Sequence, residues 1–235
     1  MPSFIKNNYI LIIILTISTV LCFLWLFLFN KEKLKAKTWE IILIAFLHTL
    51  LGVGFVKFFA IIEAGFNADE AGSMSLYGGI FFMPITYLIY AKIKKLPVGM
   101  VFDVFAVCLV ATLTLARINC LFMGCCLGAF IDDKYTIRFP SREAELVINS
   151  SFVAFAVFAN LKEKFSSKIF PLYLVYYGFF RFIIEFFRES MDAAGPFHIA
   201  HAWSFISFLV GLTILGYQWL KEKKEQNYNS ATKNK

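Results

Sequence analysis

Apolar residues follow one another in long blocks, broken by short polar connections. The blocks run from Tyr9 to Phe29, Trp39 to Ile62, Leu76 to Tyr90, Val98 to Leu115, Leu146 to Leu161, Pro171 to Phe187 and Ala202 to Leu220. A helix crossing a bilayer needs about 20 apolar residues, within a range of about 17 to 25. The pattern therefore predicts an all-α integral membrane protein with seven transmembrane helices. The third and fifth blocks are short, a mismatch that tilt or local bilayer thinning absorbs. The first is longer than the apolar core of a signal peptide, about 7 to 15 residues, and no small-residue cleavage site follows, so it reads as a retained helix. Residues 1–220 form a single transmembrane domain on this reading, and residues 221–235 a polar, frayed cytoplasmic tail. No internal repeat is visible, so nothing supports a carrier built from two related halves.

Charge orients the spans. Lys31, Lys33, Lys35 and Lys37 follow the first block, Lys92, Lys94 and Lys95 the third, Lys162, Lys164 and Lys168 the fifth, and Lys221, Lys223 and Lys224 the seventh. Cytoplasmic connections are enriched in Lys and Arg, which predicts a cytoplasmic C-terminus and an outside N-terminus. The alternate connections face outward: Glu63, Asp69 and Glu70, then a small extracytoplasmic segment between spans four and five, then Arg188, Glu189 and Asp192. The chain is 59% hydrophobic and 17% charged, which excludes a disordered chain, a disulfide-stapled module and a coiled coil. The net charge of +7 does not point to nucleic acid, because the basic residues sit between apolar blocks, where they meet lipid headgroups.

Ionisable residues inside spans are costly and mark functional sites by default. Lys57, Asp103, Arg181 and Glu185 qualify. Tyr177, Arg181 and Glu185, spaced i, i+4, i+8, share one helical face, and Arg188 and Glu189 continue it. The bland reading of Arg181 and Glu185 is an intrahelical ion pair, and that of Arg117, at the end of span four, is an arginine snorkelling to headgroups. Lys57 names no partner, and Asp103 reads as wetted near the inner end of span four. Tyr77, with Gly78 and Gly79, opens span three on the same side as Arg117 and the top of span six. Cys22 and Cys108 read as small core fillers. Cys120, Cys125 and Cys126 form a C-x4-C-C cluster after Arg117 that is not a zinc-finger or ribbon spacing and has no nearby His, so no metal is expected. Cys120 pairing with Cys125 or Cys126 in a disulfide and a thiol nucleophile beside Arg117 both remain open. His48 lies in span two, and His198 and His201 open span seven.

Four segments resemble the prolipoprotein diacylglyceryl transferases, bacterial seven-span membrane enzymes. Residues 73–79, S-M-S-L-Y-G-G, look like the family's M-S-F-H-G-G; residues 116–122, A-R-I-N-C-L-F, look like the start of its G-R-x-G-N-F signature. Residues 140–145, P-S-R-E-A-E, are similar to P-S-Q-L-Y-E, and residues 177–188, Y-G-F-F-R-F-I-I-E-F-F-R, to Y-G-x-x-R-F-x-x-E-F-F-R. Against the family pattern, Tyr77 stands for a His, Cys120 for an Asn, Cys125 for a carboxylate, and Arg142 and Ala144 for Gln and Tyr. Lys57 lies near the family's basic residue of the second helix.

The resemblance implies transfer of diacylglycerol from outer-leaflet phosphatidylglycerol to the lipobox cysteine of a secreted prolipoprotein, in the bacterial plasma (inner) membrane and without a cofactor. It makes Arg117, Arg181, Glu185, Tyr177, Tyr77 and Glu145 the catalytic set. Arg117 and Arg181 would hold phosphate, Glu185 would orient Arg181, and Tyr177 would donate to a phosphate or glycerol oxygen. Gly78, Gly79 and Ser141 would lie against the headgroup. Tyr77, Glu145 and His201 are the options for taking the thiol proton. The alternative is a catalytically silent relative that binds lipid headgroups or lipoproteins; a channel or carrier ranks last, since the polar residues gather on one side.

Overall fold

A computed structural model of the chain describes residues 3–66, 74–132, 134, 136–188 and 197–233. Ser73, Asp69, Glu70, Glu189 and Asp192, named above, lie outside the described residues. The described chain is all-helical apart from turns and two isolated backbone bridges, Gly128 with Arg188 and Phe130 with Arg138. Its helices are α1 (Ser3–Phe29), α2 (Thr38–Glu63), α3 (Tyr77–Lys94), α4 (Val98–Met123), α5 (Ser141–Leu161), α6 (Ile169–Glu185) and α7 (Ile199–Lys233).

Five of these, α1, α2, α4, α5 and α7, are long and apolar enough to cross a membrane. α3, with 18 residues, and α6, with 17, are shorter. Boundaries differ from the apolar blocks where polar residues face inward. α4 runs past Leu115 to Met123, carrying Arg117 and Cys120 on the helix, and α5 begins at Ser141, carrying Glu145. α7 continues as helix through Lys233, so the polar tail is helical as far as it is described.

α4 is the hub, packing against α1, α3, α5 and α6. More than half of its apolar stretch is buried inside the bundle, against a third or less for the other four long helices. Those present broad apolar faces outward, among them Ile12 and Leu24 on α1, Leu43 and Phe46 on α2, and Leu209 and Leu212 on α7. Contiguous exposure of that size suits hydrocarbon rather than water.

Two devices fix α6. At Gly178 an added Cβ would lie 2.6 Å from the Ser204 carbonyl oxygen and 2.7 Å from the Phe208 nitrogen, so a hydrogen here lets the α6 and α7 backbones touch. Its other end is held from α4: Asp103, buried rather than wetted, accepts backbone N–H groups of Ser167, Ile169 (2.9 Å) and Phe170 (3.4 Å). These are donors that the start of a helix leaves unpaired, and a carboxylate there also meets the positive end of the helix dipole.

The lysine-rich connections share one end of the bundle. Lys33 pairs with Glu163 at 3.0 Å, Lys94 with Glu40 at 2.7 Å and Lys168 with Glu222 at 2.8 Å, linking the ends of α1, α2, α3, α5, α6 and α7. Arg117, Glu145, Tyr177 and Glu185 belong to the other half of their helices. There the segment between α4 and α5 folds back over the end of α6, with Ala129 N–H donating to Phe187 O at 2.8 Å and Phe139 N–H to Ala129 O at 2.9 Å.

Candidate active site

Tyr177, Arg181 and Glu185 do share a buried face of α6, and Arg181 pairs with Glu185 at 2.6 Å. The intrahelical pair is one link in a longer chain. Arg181 also bonds Glu145 of α5, which pairs with Arg117 of α4 at 2.5 Å; beyond α6, Arg188 reaches Glu185 at 3.3 Å. The order Arg117, Glu145, Arg181, Glu185, Arg188 thus alternates charge across three helices. The four side chains from Arg117 to Glu185 are at most 7% exposed, and charges so deep persist only when paired. Arg117 therefore does not snorkel.

Alternation leaves capacity unused. Within these five residues three guanidiniums face two carboxylates, and Nε of Arg117, Nε of Arg181 and Oη of Tyr177 are buried with no hydrogen-bond partner among the described residues. Arg117, Arg181, Arg188 and Tyr177 line a cavity of about 180 Å³, together with Glu63 of α2 and Tyr77 of α3. A cluster of guanidinium and phenol donors at a concave surface suits a phosphate, which a guanidinium engages through two parallel hydrogen bonds.

Other expected site residues make their contacts outside this network. Tyr77 is buried in the cavity wall, but its hydroxyl lies 2.5 Å from Ser204 Oγ and 3.2 Å from the Ala200 carbonyl, tying α3 to α7. Gly78 faces α2: a Cβ there would sit 2.1 Å from the Phe55 carbonyl oxygen, so the glycine lets α2 and α3 pack closely. Gly79 faces Val56, Leu109 and Leu113 at ordinary contact distance. Ser141 is also turned away, donating to the Cys126 carbonyl at 3.0 Å. Lys57 is exposed on α2. His201 is packed among Phe182, Phe186 and Phe197, its Nδ1 accepting the His198 N–H at 3.0 Å.

Sequence reading passed over Glu63 and gave Arg188 no role. The first was counted as an outer-loop charge, although it ends the α2 helix beside the cavity; the signal for the second was the continuation of the α6 motif by one more turn.

The three clustered cysteines sit at the mouth of this network. Cys120 occupies the last turn of α4, the helix ends at Met123, and Cys126 takes a left-handed backbone conformation, φ 58°. Their sulfurs lie within 4.8 Å of one another, without a disulfide. Cys126 lines the cavity, and Arg117 Nη1 stands 3.8 Å from its sulfur. Hydrogen bonding among the three thiols, reinforced by the Arg117 and Arg188 charges, holds Cys126 below the usual thiol range, while hydrogen bonding to Cys120 and Cys126 pushes Cys125 up.

The family model described as prolipoprotein diacylglyceryl transferase matches residues 5–217. The chain belongs to this family. Among prolipoprotein diacylglyceryl transferase relatives, each named phosphatidylglycerol–prolipoprotein diacylglyceryl transferase, the protein of Geobacter sulfurreducens is 30% identical over 174 residues, 68% of this chain and 64% of that protein. The protein of Dehalococcoides mccartyi strain BAV1 is 22% identical over 233 residues, 90% of each chain. That of Desulfotalea psychrophila is 30% identical over 146 residues, 55% of this chain and 53% of its own. The match to the Geobacter relative spans less than two thirds of that protein. The buried network of Arg117, Glu145, Arg181 and Glu185 lies within the span that the diacylglyceryl transferase model covers.

Proposed function

We propose that this chain transfers the diacylglyceryl group of phosphatidylglycerol to the lipobox cysteine of a prolipoprotein, at the outer face of a bacterial plasma (inner) membrane. The observation that carries this reading is the set of spare buried donors, on Arg117, Arg181 and Tyr177, beside one cavity.

In the reaction the acceptor thiolate attacks the glyceryl carbon that bears the phosphate. A C–S bond forms, the C–O bond breaks, and its electron pair stays on the phosphate oxygen as glycerol phosphate departs. Charge grows on that oxygen in the transition state, and donors fixed in a water-poor site stabilise it without reorganising. Arg117 and Arg181 supply those donors, with Tyr177 Oη on a bridging or glycerol oxygen. Glu145 and Glu185 are positioning residues, since each is held between guanidiniums. That occupation takes Glu145 out of contention as the base.

All seven helices cross the bilayer in this reading, with the N-terminus outside and the C-terminus in the cytoplasm. α3 and α6, at about 1.5 Å per residue, reach about 26 to 27 Å of a hydrocarbon core about 30 Å thick, and bilayer thinning over that distance costs little.

The test is mass spectrometry of a lipobox peptide incubated with the purified protein in phosphatidylglycerol vesicles, beside Arg117→Ala and Arg181→Ala. A diacylglyceryl mass increase on the peptide cysteine, lost in both variants, is the expected result. A second reading, a headgroup-binding relative without activity, is favoured by the commitment of the Tyr77 hydroxyl to α7, which leaves the family's histidine position without a base. An unmodified peptide, with the protein folded and the lipid bound, would decide for it.

A further inference from the structure

A transferase of this kind must remove the acceptor thiol's proton, and two of the three residues expected to do so are engaged elsewhere. Tyr77 is bonded to α7 and Glu145 is clasped between two guanidiniums, while His201, its Nε2 unpaired among the described residues, is enclosed by the rings of Phe182, Phe186 and Phe197 and does not line the cavity. Next to the cavity stand three sulfurs from two adjoining pieces of chain.

We propose that Cys120, Cys125 and Cys126 bind one zinc ion, whose remaining position receives the acceptor thiol and holds it as the attacking thiolate. The inference rests on the transferase reading above.

The donor set fits this metal. Zinc takes thiolate sulfurs at about 2.3 Å in tetrahedral array, which spaces them by about 3.8 Å; the three sulfurs already lie within 4.8 Å of one another. Adjacent residues in an extended chain point to opposite faces, but the left-handed turn at Cys126 brings its sulfur to the same place as that of Cys125. Ser141 fixes this turn by donating to the Cys126 carbonyl at 3.0 Å. Three thiolates on a divalent cation leave one negative charge, and Arg117 Nη1, 3.8 Å from the Cys126 sulfur, offsets it.

Three protein ligands and one open position are the arrangement of a catalytic zinc, whereas a structural zinc is closed by four. A thiol entering the open position displaces water and gives its proton to solvent, because a coordinating thiol is deprotonated outright. Its sulfur then forms the C–S bond as the phosphate leaves with the C–O electron pair. Arg117 touches both Cys126 and Glu145, and through Glu145 connects to Arg181. The nucleophile and the phosphate therefore meet across one guanidinium.

Full-length protein purified without oxygen and supplied with zinc should retain about one equivalent, as one tetrahedral site requires, while Cys120→Ser/Cys125→Ser/Cys126→Ser should retain none above background. Cobalt(II) in place of zinc should give a sulfur-to-metal charge-transfer band and tetrahedral visible bands. A lipobox peptide should shift those bands, and the same peptide with serine for its cysteine should not. Stripping the metal should lower transfer by about 100-fold or more, the size of a lost general base, and zinc should restore it. Equal metal content in the triple variant, a disulfide among the three thiols in the active protein, cobalt bands blind to the thiol peptide, or full activity after stripping would each overturn the proposal. Thiol-dependent cobalt bands without any transfer from phosphatidylglycerol would uphold the metal site and reject the transferase reading.

Discussion

Glu145 is the residue on which the site turns, since its single charge is shared by Arg117 and Arg181. Replacing it by glutamine leaves two buried guanidiniums facing a neutral amide. Removing one partner of a buried ion pair costs about 3 to 5 kcal/mol, so Glu145→Gln should melt well below the parent protein in the same detergent and transfer no diacylglycerol; an unchanged melting temperature would mean the network is wetter than its burial indicates. Tyr177→Phe asks a different question. It deletes an oxygen with no partner among the described residues, so stability should hold while the rate falls about 100- to 1,000-fold, the usual loss for one transition-state donor. Melting curves and turnover measured on one preparation separate the two. The i, i+4, i+8 spacing of Tyr177, Arg181 and Glu185 could be read directly from the sequence, because helix geometry converts spacing into a shared face. Glu145 and Arg181 are 36 residues apart, and no local rule links them. Nor can a sequence say what fills the space beside a glycine, which is why Gly78 reads equally as a ligand contact and as a packing contact.

The seven helices of the described chain were legible as apolar runs, but their ends were not. Arg117, Asn119 and Cys120 look like a polar stop to α4, yet they lie on the helix with their side chains at least partly buried; inward-facing polarity mimics a boundary. Asp103 misled in the same way, because a charge near a span end reads as wetted when it is in fact capping another helix. That role predicts the effect of Asp103→Ala. Losing a capping carboxylate costs about 1 to 2 kcal/mol, so the start of α6 should exchange amide hydrogens faster and the melting temperature should drop, with the Arg117–Glu145 pairing left intact at low temperature. Faster exchange confined to α6 and its contacts is the expected pattern; exchange spread evenly over the bundle would speak against a cap.

Across the whole molecule, charge separates into two ends: paired lysines at one, the arginine network at the other. The orientation argued for the membrane predicts that an epitope inserted after Lys95 is reached by antibody only in permeabilised cells, and that one inserted after Lys134 is reached in intact spheroplasts. The reverse pattern would put the site on the cytoplasmic side and remove the case for secreted acceptors. The same partition also bears on how substrates enter. α4, α5 and α6 are riveted together by opposite charges in a medium of low dielectric, where pulling them apart is expensive. The facing wall, from α2, α3 and the start of α7, meets around the cavity through aromatic and aliphatic surfaces such as Phe59 against Trp203, with the neutral Tyr77 hydroxyl as a polar tie and the Lys94–Glu40 ion pair confined to the far end. The transferase reading therefore predicts that lipid enters between α2, α3 and α7 rather than between the ion-paired α4, α5 and α6.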